Sequence, residues 1–76
     1  MKEALENLVR SLVGNPDAVA VIEKQSGSAT ILEVHLEQSD IGRLIGREGR
    51  TIKAIRSLLY AVSQKKGRRH QLEIAE

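Results

Sequence analysis

The sequence has no cysteine, phenylalanine or tryptophan, and only one tyrosine and one proline among its 76 residues. Without cysteine there is no disulfide to brace the fold and no thiolate to hold a metal. His35 and His70 are too few and too isolated to build a metal cage, so no metal or cofactor is expected. No apolar run approaches the ~20 residues that span a bilayer. The opening stretch MKEALENLVR is charged and amphipathic, unlike the apolar core of a secretory signal, which favours a cytoplasmic location. Catalysis lacks a visible constellation. His35 and His70 fall in strand-like segments with no evident nucleophile nearby, and Ser57 and Ser63 lie in a helical pattern with nothing to activate them. The chain is therefore not expected to be an enzyme.

The length predicts one domain, 1–76. A chain this short buries only about 60% of the surface its unfolded form exposes. Good packing or self-association must supply the remaining stability. The formal net charge of +2 hides an uneven distribution. Residues 1–38 carry three basic and six acidic side chains, whereas 39–70 carry nine basic and two acidic ones. Such a bias suits a polyanionic partner, or simply a solvated basic face.

Leu5, Leu8, Val9, Leu12 and Val13 recur at helical spacing and predict a helix over 2–13, stopped by Gly14-Asn15-Pro16. AVAVIEK (18–24) is short and β-branched and predicts a strand. QSGS (25–28) reads as a turn. ATILEVHLE (29–37) alternates, with Leu32, Val34 and Leu36 inward and Glu33, His35 and Glu37 outward. The two segments suit an antiparallel hairpin with one wet face. Ser39 and Asp40 are good N-caps for a short helix at about 41–45. A second helix over about 50–63 turns Ile52, Ile55, Leu59 and Val62 inward. QKKGRR (64–69) reads as a basic loop, and HQLEIA (70–75) as a last strand with Leu72 and Ile74 inward. The order is α-β-β-α-α-β. It predicts an α+β fold in which a three-stranded mixed sheet carries three helices on one face. The second and last strands would lie parallel through the crossover between them.

The stretch DIGRLIGREGRTIKAIRSLL (40–59) places three glycines and five cations in an otherwise helical pattern. A glycine inside a helix costs about 1 kcal/mol relative to alanine, so these should serve a purpose. A nucleotide P-loop fits poorly, because Leu44 stands where its first glycine belongs and Arg50 where its lysine belongs. Gly42 and Gly46 have the spacing of a helix-packing motif that matters chiefly in membranes. A helix–Gly-x-x-Gly–helix junction fits better. Gly46 would let the first helix end in a left-handed turn, and Gly49 would clear the approach to the next helix. The unpaired amides there attract phosphate. Arg47 and Arg50 add full charges, with Arg43 and Lys53 a turn away.

Ile45-Gly46-Arg47-Glu48-Gly49-Arg50-Thr51-Ile52 matches the (V/I)IGxxGxxI signature of KH domains. The element order resembles their type II form. A chain of this length carrying DIGRLIGREGRTIKAIR is similar to the small stand-alone bacterial KH proteins of the KhpA family, and the likeness covers essentially the whole sequence. The resemblance implies a single-stranded RNA-binding protein, an RNA chaperone or post-transcriptional regulator. It would clamp the RNA backbone with Gly46-Arg47-Glu48-Gly49. By position, the implied RNA contacts are Gly42, Arg43, Ile45, Gly46, Arg47, Glu48, Gly49, Arg50, Thr51 and Lys53. The resemblance also implies a homodimer, or a heterodimer with a larger KH-containing protein (KhpB), and a link to cell shape and cell-wall regulation. Ile45 and Ile52 are expected to be largely core. Glu48 departs from the usual basic or small loop residue and should weaken phosphate binding unless it pairs with Arg43, Arg47 or Arg50. Tyr60, the lone aromatic, is expected to pack, and the cluster Lys65, Lys66, Arg68 and Arg69 to form a mobile basic loop. The rival reading is a KH scaffold used for protein–protein contact or dimerisation, through exposed apolar residues such as Leu58.

Overall fold

In a computed structural model of the chain the described residues are 1–75. Lys2–Leu12 form α1. Leu5 and Val9, one turn apart, are buried, and Leu8 packs beside them. Leu12, on the same stripe but at the last position of α1, is exposed. The chain then makes a 3-10 turn at Pro16–Ala18, closed by the Val19 amide donating to the Pro16 carbonyl at 3.1 Å. That turn delays the first strand, β1, to Ala20–Ser26, two residues later than its composition suggests.

β2 spans Ala29–His35 and pairs antiparallel with β1, from Ala20 opposite His35 to Ser26 opposite Ala29. The turn between them is only Gly27-Ser28. After β2, Gln38–Asp40 form a 3-10 turn leading into α2, Ile41–Ile45. A second 3-10 turn, Arg47–Gly49, leads into α3, Arg50–Lys66. β3, Arg69–Ala75, then lies parallel to β2, with Leu32 opposite Leu72. The sheet order β1-β2-β3 puts the alternating strand in the centre. The α+β architecture and the parallel return thus match expectation.

Burial alternates along the central strand β2 as a half-covered sheet requires, while β1 buries only Val21 and β3 only Leu72. Val21, Leu32, Val34 and Leu72 meet Leu5, Val9, Leu44, Ile52, Ile55 and Leu59 from the helices. The opposite face carries Ile22, Lys24, Glu33 and His35. Glu33 binds Lys24 at 3.1 Å and His35 at 2.6 Å there.

Three local expectations are corrected. Asp40 holds the N-cap position of α2 but its side chain makes no capping hydrogen bond there. Its carboxylate is buried and accepts the Gly14 and Asn15 amides, both at 3.0 Å, so it closes the end of α1. The segment 64–69 is not a loop. Gln64, Lys65 and Lys66 extend α3, as good helix formers with cations at the favourable end would. Gly67 stops the helix, its amide and that of Arg68 both donating to the Ser63 carbonyl, at 2.9 and 3.2 Å. Arg68 in turn is held inside the fold. Its Nε donates to Thr30 Oγ1 at 2.7 Å, and its guanidinium also reaches the Ala29 carbonyl at 2.9 Å and the side chain of Gln25. It fastens the β1–β2 turn to the head of β3.

Candidate functional site

The junction of α2 and α3 is built by backbone geometry that ordinary residues resist. Gly46 has φ 79° and ψ 173°, a region open essentially to glycine alone. Gly49 lies in the left-handed helical region at φ 74° and ψ 15°. Between them Glu48 also has a positive φ, 57°. Two hydrogen bonds set the path: the Gly46 amide donates to the Gly42 carbonyl at 2.9 Å, and the Gly49 amide to the Gly46 carbonyl at 3.1 Å. α3 follows at once, and no side chain caps its first turn. The Arg50 amide donates to the Arg47 carbonyl, and no side chain satisfies the amides that follow it.

The two glycines have different surroundings. A Cβ on Gly46 would lie 2.8 Å from Thr51 Cβ and 3.0 Å from the Thr51 amide nitrogen. Thr51, half-buried, packs directly against this point of the loop. A Cβ on Gly49 would find nothing nearer than Lys53 Cε at 3.9 Å and Ile52 Cγ2 at 4.0 Å. Gly46 is demanded by close internal approach, whereas Gly49 faces open space with the Lys53 stem beside it. Gly42 is helical and equally open.

The cations around the loop divide. Arg47 is exposed and has no hydrogen-bond or ion-pair partner among the described residues. Arg50 meets Glu48 at 3.8 Å, both side chains more than 70% exposed, a contact worth little in water. This is one of the pairings anticipated for Glu48. Arg43 instead lies 3.7 Å from Asp40, with its guanidinium beside Gly14, so its charge is drawn toward the end of α1. Ile52 is core, but Ile45 is not: it is 36% exposed, and Leu44 is the residue fully buried. α2 is a five-residue helix with room for one inward position, and Ile45 is turned about 100° from it.

A groove of about 840 Å³ lies between α3 and β3, lined among others by Arg56, Tyr60, Gln64, His70 and Gln71. The KH resemblance implies an apolar groove for bases between the flanking helices and a strand edge, but a place for Tyr60 on it is not anticipated. Tyr60, expected to pack, is 66% exposed on its rim. The sheet edges explain where the groove falls. At the β1 edge, Glu6 Oε2 accepts the Val21 amide at 3.0 Å and Arg10 donates to the Val19 carbonyl at 3.4 Å, so α1 covers it. β3 is the other edge, and its flank forms the groove wall. The exposed side of the α3 pattern was the available signal. Among the described residues no cluster of three or more His, Asp or Glu is placed to hold a metal, and no helix is long and apolar enough to cross a membrane.

The chain was compared with known proteins. The family described as "KhpA/KhpB, KH domain" matches residues 2–74. A Chlamydia pneumoniae protein named "RNA-binding protein KhpA" is 45% identical over 76 residues, covering 100% of this chain and 97% of the relative. A protein of the same name from Halalkalibacterium halodurans is 40% identical over 76 residues, with 100% of both chains covered. One from Borreliella burgdorferi is 46% identical over 74 residues, covering 97% of this chain and 90% of its own. No solved structure gives a significant match. The glycine junction, the mixed sheet and these full-length likenesses agree, and the chain belongs to the KhpA/KhpB KH-domain family.

Proposed function

We propose that residues 1–76 act as one KH domain that binds single-stranded RNA, clamping its sugar-phosphate backbone at Gly46-Arg47-Glu48-Gly49. The observation that carries this reading is the open, positive-φ turn at the uncapped start of a 17-residue helix, with an unpartnered Arg47 on it. The relatives named as RNA-binding proteins support it. A phosphate can approach the α3 amides past Gly49 because no side chain intervenes. Arg47, Arg50 and Lys53 supply charge around that point, and Thr51 and Gly46 hold the turn in shape. Ile45, exposed beside the loop, offers apolar contact to a base or sugar. Gly42 leaves the outer side of α2 without a side chain. Arg43 contributes at longer range, since Asp40 already engages it. Glu48 opposes phosphate, so affinity is modest and falls with salt as counterions are released. Holding and releasing RNA in the cytoplasm, as a chaperone or post-transcriptional regulator, is the activity that fits such weak backbone-directed binding.

Gly49→Asp tests the clamp. The position has open space, and aspartate tolerates positive φ better than most residues. The variant should keep its circular dichroism spectrum and lose affinity for a labelled single-stranded oligoribonucleotide. Unchanged affinity would remove the clamp.

A second reading concerns association, as a homodimer or with a larger KhpB-like protein. An apolar cleft of about 220 Å³ lies between α1 and α3, lined by Met1, Ala4, Leu8, Leu58 and Val62 among others. Leu58 is 60% exposed there. Light scattering across micromolar concentrations should give a dimeric mass that Leu58→Glu reduces to a monomer. A monomeric mass throughout would refute self-association.

A further inference from the structure

We infer that Tyr60 is a stacking platform for a nucleobase, at the far end of a track that leads from the glycine turn along α3 into the α3–β3 groove. The inference rests on the RNA-binding reading above and extends it to a residue outside the loop.

Lys53, Arg56, Tyr60 and Gln64 follow one another at spacings of three, four and four, and all are exposed. At 3.6 residues per turn they fall within about 80° of arc, so they form one stripe up the helix. The stripe begins at the clamp, because the Lys53 stem lies against Gly49. Two cations come first, suited to a phosphate backbone, and the ring follows about 10 Å beyond Lys53. Tyr60 is not recruited to the core, where Ile52, Ile55 and Leu59 already fill the inward positions of α3. It is the chain's only Phe, Tyr or Trp, and it stands at the mouth of a groove whose volume lies in the range of small-ligand sites.

The opposite wall supplies hydrogen-bonding groups for a base edge. His70 Nδ1 is 3.0 Å from the Arg68 carbonyl, and its Nε2 has no partner among the described residues. Gln64 stands nearby with both a donor and an acceptor, and Arg69 and Gln71 on β3 also line the groove. A π-face, amphoteric edge groups and adjacent cations are the components by which single-strand binders hold a base. The apolar cleft around Leu58 does not compete for this surface: Leu58 and Tyr60 are separated by about 200° on the helix.

The test uses the intact chain. Since Tyr60 is the sole tyrosine, its ring protons are assigned without ambiguity in an NMR titration with octaadenylate or octauridylate RNA. The ring signals should move upfield as RNA is added, alongside the amides of residues 46–50. Tyr60→Leu should weaken affinity about five- to hundred-fold, and Tyr60→Phe by less than about three-fold, because stacking needs the ring and not the hydroxyl. Ring signals that stay fixed while the loop amides shift would overturn the platform and leave the clamp intact. Ring signals that follow protein concentration instead of RNA would assign Tyr60 to a protein contact and overturn it equally. If neither ring nor loop responds, the RNA-binding reading itself fails.

Discussion

The unequal surroundings of the two loop glycines predict unequal responses to alanine. At Gly46 an added Cβ meets Thr51 Cβ at 2.8 Å and the Thr51 amide nitrogen at 3.0 Å. Rotating the threonine moves neither atom out of the way, so the backbone must shift, which costs about 1–3 kcal/mol as overpacking does. The glycine-only φ/ψ adds about 1–3 kcal/mol. Loss of chain entropy in the unfolded state returns only about 0.4–1 kcal/mol. A net destabilisation of about 2–4 kcal/mol is expected for Gly46→Ala. At Gly49 there is no collision, the left-handed conformation costs alanine about 1–2 kcal/mol, and the same entropy gain applies. A net loss of about 0–1.5 kcal/mol follows there. In a domain of this size each kcal/mol lowers Tm by about 4–8 °C. Gly46→Ala should therefore melt at least about 8 °C below the parent, and Gly49→Ala within about 12 °C of it. Urea denaturation followed by far-ultraviolet circular dichroism measures both. Equal losses, or a neutral Gly46→Ala, would refute the claim that Gly46 is fixed by its contact with Thr51.

Other substitutions separate structural from binding cations and test buried carboxylate chemistry. Arg47→Ala should change stability by less than about 0.5 kcal/mol, as an exposed unpaired residue does, yet reduce the slope of log K against log salt by about 0.7, one phosphate on a single strand. Arg68→Ala should do the reverse: a loss of about 2–3 kcal/mol from its broken charge-assisted bonds to Thr30 and Ala29, with the salt slope unchanged. Asp40→Ala strips two backbone amides of their acceptor and should cost about 2–4 kcal/mol in denaturant unfolding, Asp40→Asn costing less because one oxygen survives. The Lys24 ammonium first, and His35 second, hold the Glu33 carboxyl below its ordinary 4.5. A depressed native pKa contributes stability above the unfolded value and loses it as pH falls through the native one. Glu33→Gln should therefore flatten the acid side of the stability curve below about pH 4.5, and an unaltered acid limb would exclude the contribution.

The periodic parts of the fold were legible because burial imposes a period. Leu5 and Val9 mark α1, Leu32 and Val34 mark β2, and Ile52, Ile55 and Leu59 mark α3, each at the spacing its element requires. The misreadings fall where a polar side chain serves a distant partner. Asp40 looked like a local cap, but its oxygens are claimed by amides 25 and 26 residues away. Arg68 looked like one more loop cation, but its donors bind acceptors 38 and 39 residues away. Composition carries no record of such pairings, since a solvated arginine and a bonded one are written alike. The loop glycines were legible as a pair, and yet the spacing alone gave no reason why Gly46 and Gly49 should differ.

The place of Tyr60 on the groove was not legible for a related physical reason. A site made of surface is the complement of a periodic pattern, and the pattern draws attention to what is buried. In α3 the inward positions 52, 55 and 59 were read first, which left Lys53, Arg56 and Tyr60 as residue types without a common direction. Once the helix is formed, the same 3.6-residue period that gathers the core also gathers these three on a second stripe. One short helix thereby presents a buried face to the sheet, a cationic and aromatic face to the groove, and Leu58 to the cleft beside α1. Because the three faces share one rigid element, a ligand along the groove and a partner at the cleft do not exclude each other sterically. Mutations confined to one exposed face should therefore leave the function of the other intact, so Leu58→Glu should keep the RNA affinity of the monomer and Tyr60→Leu should keep its mass in light scattering.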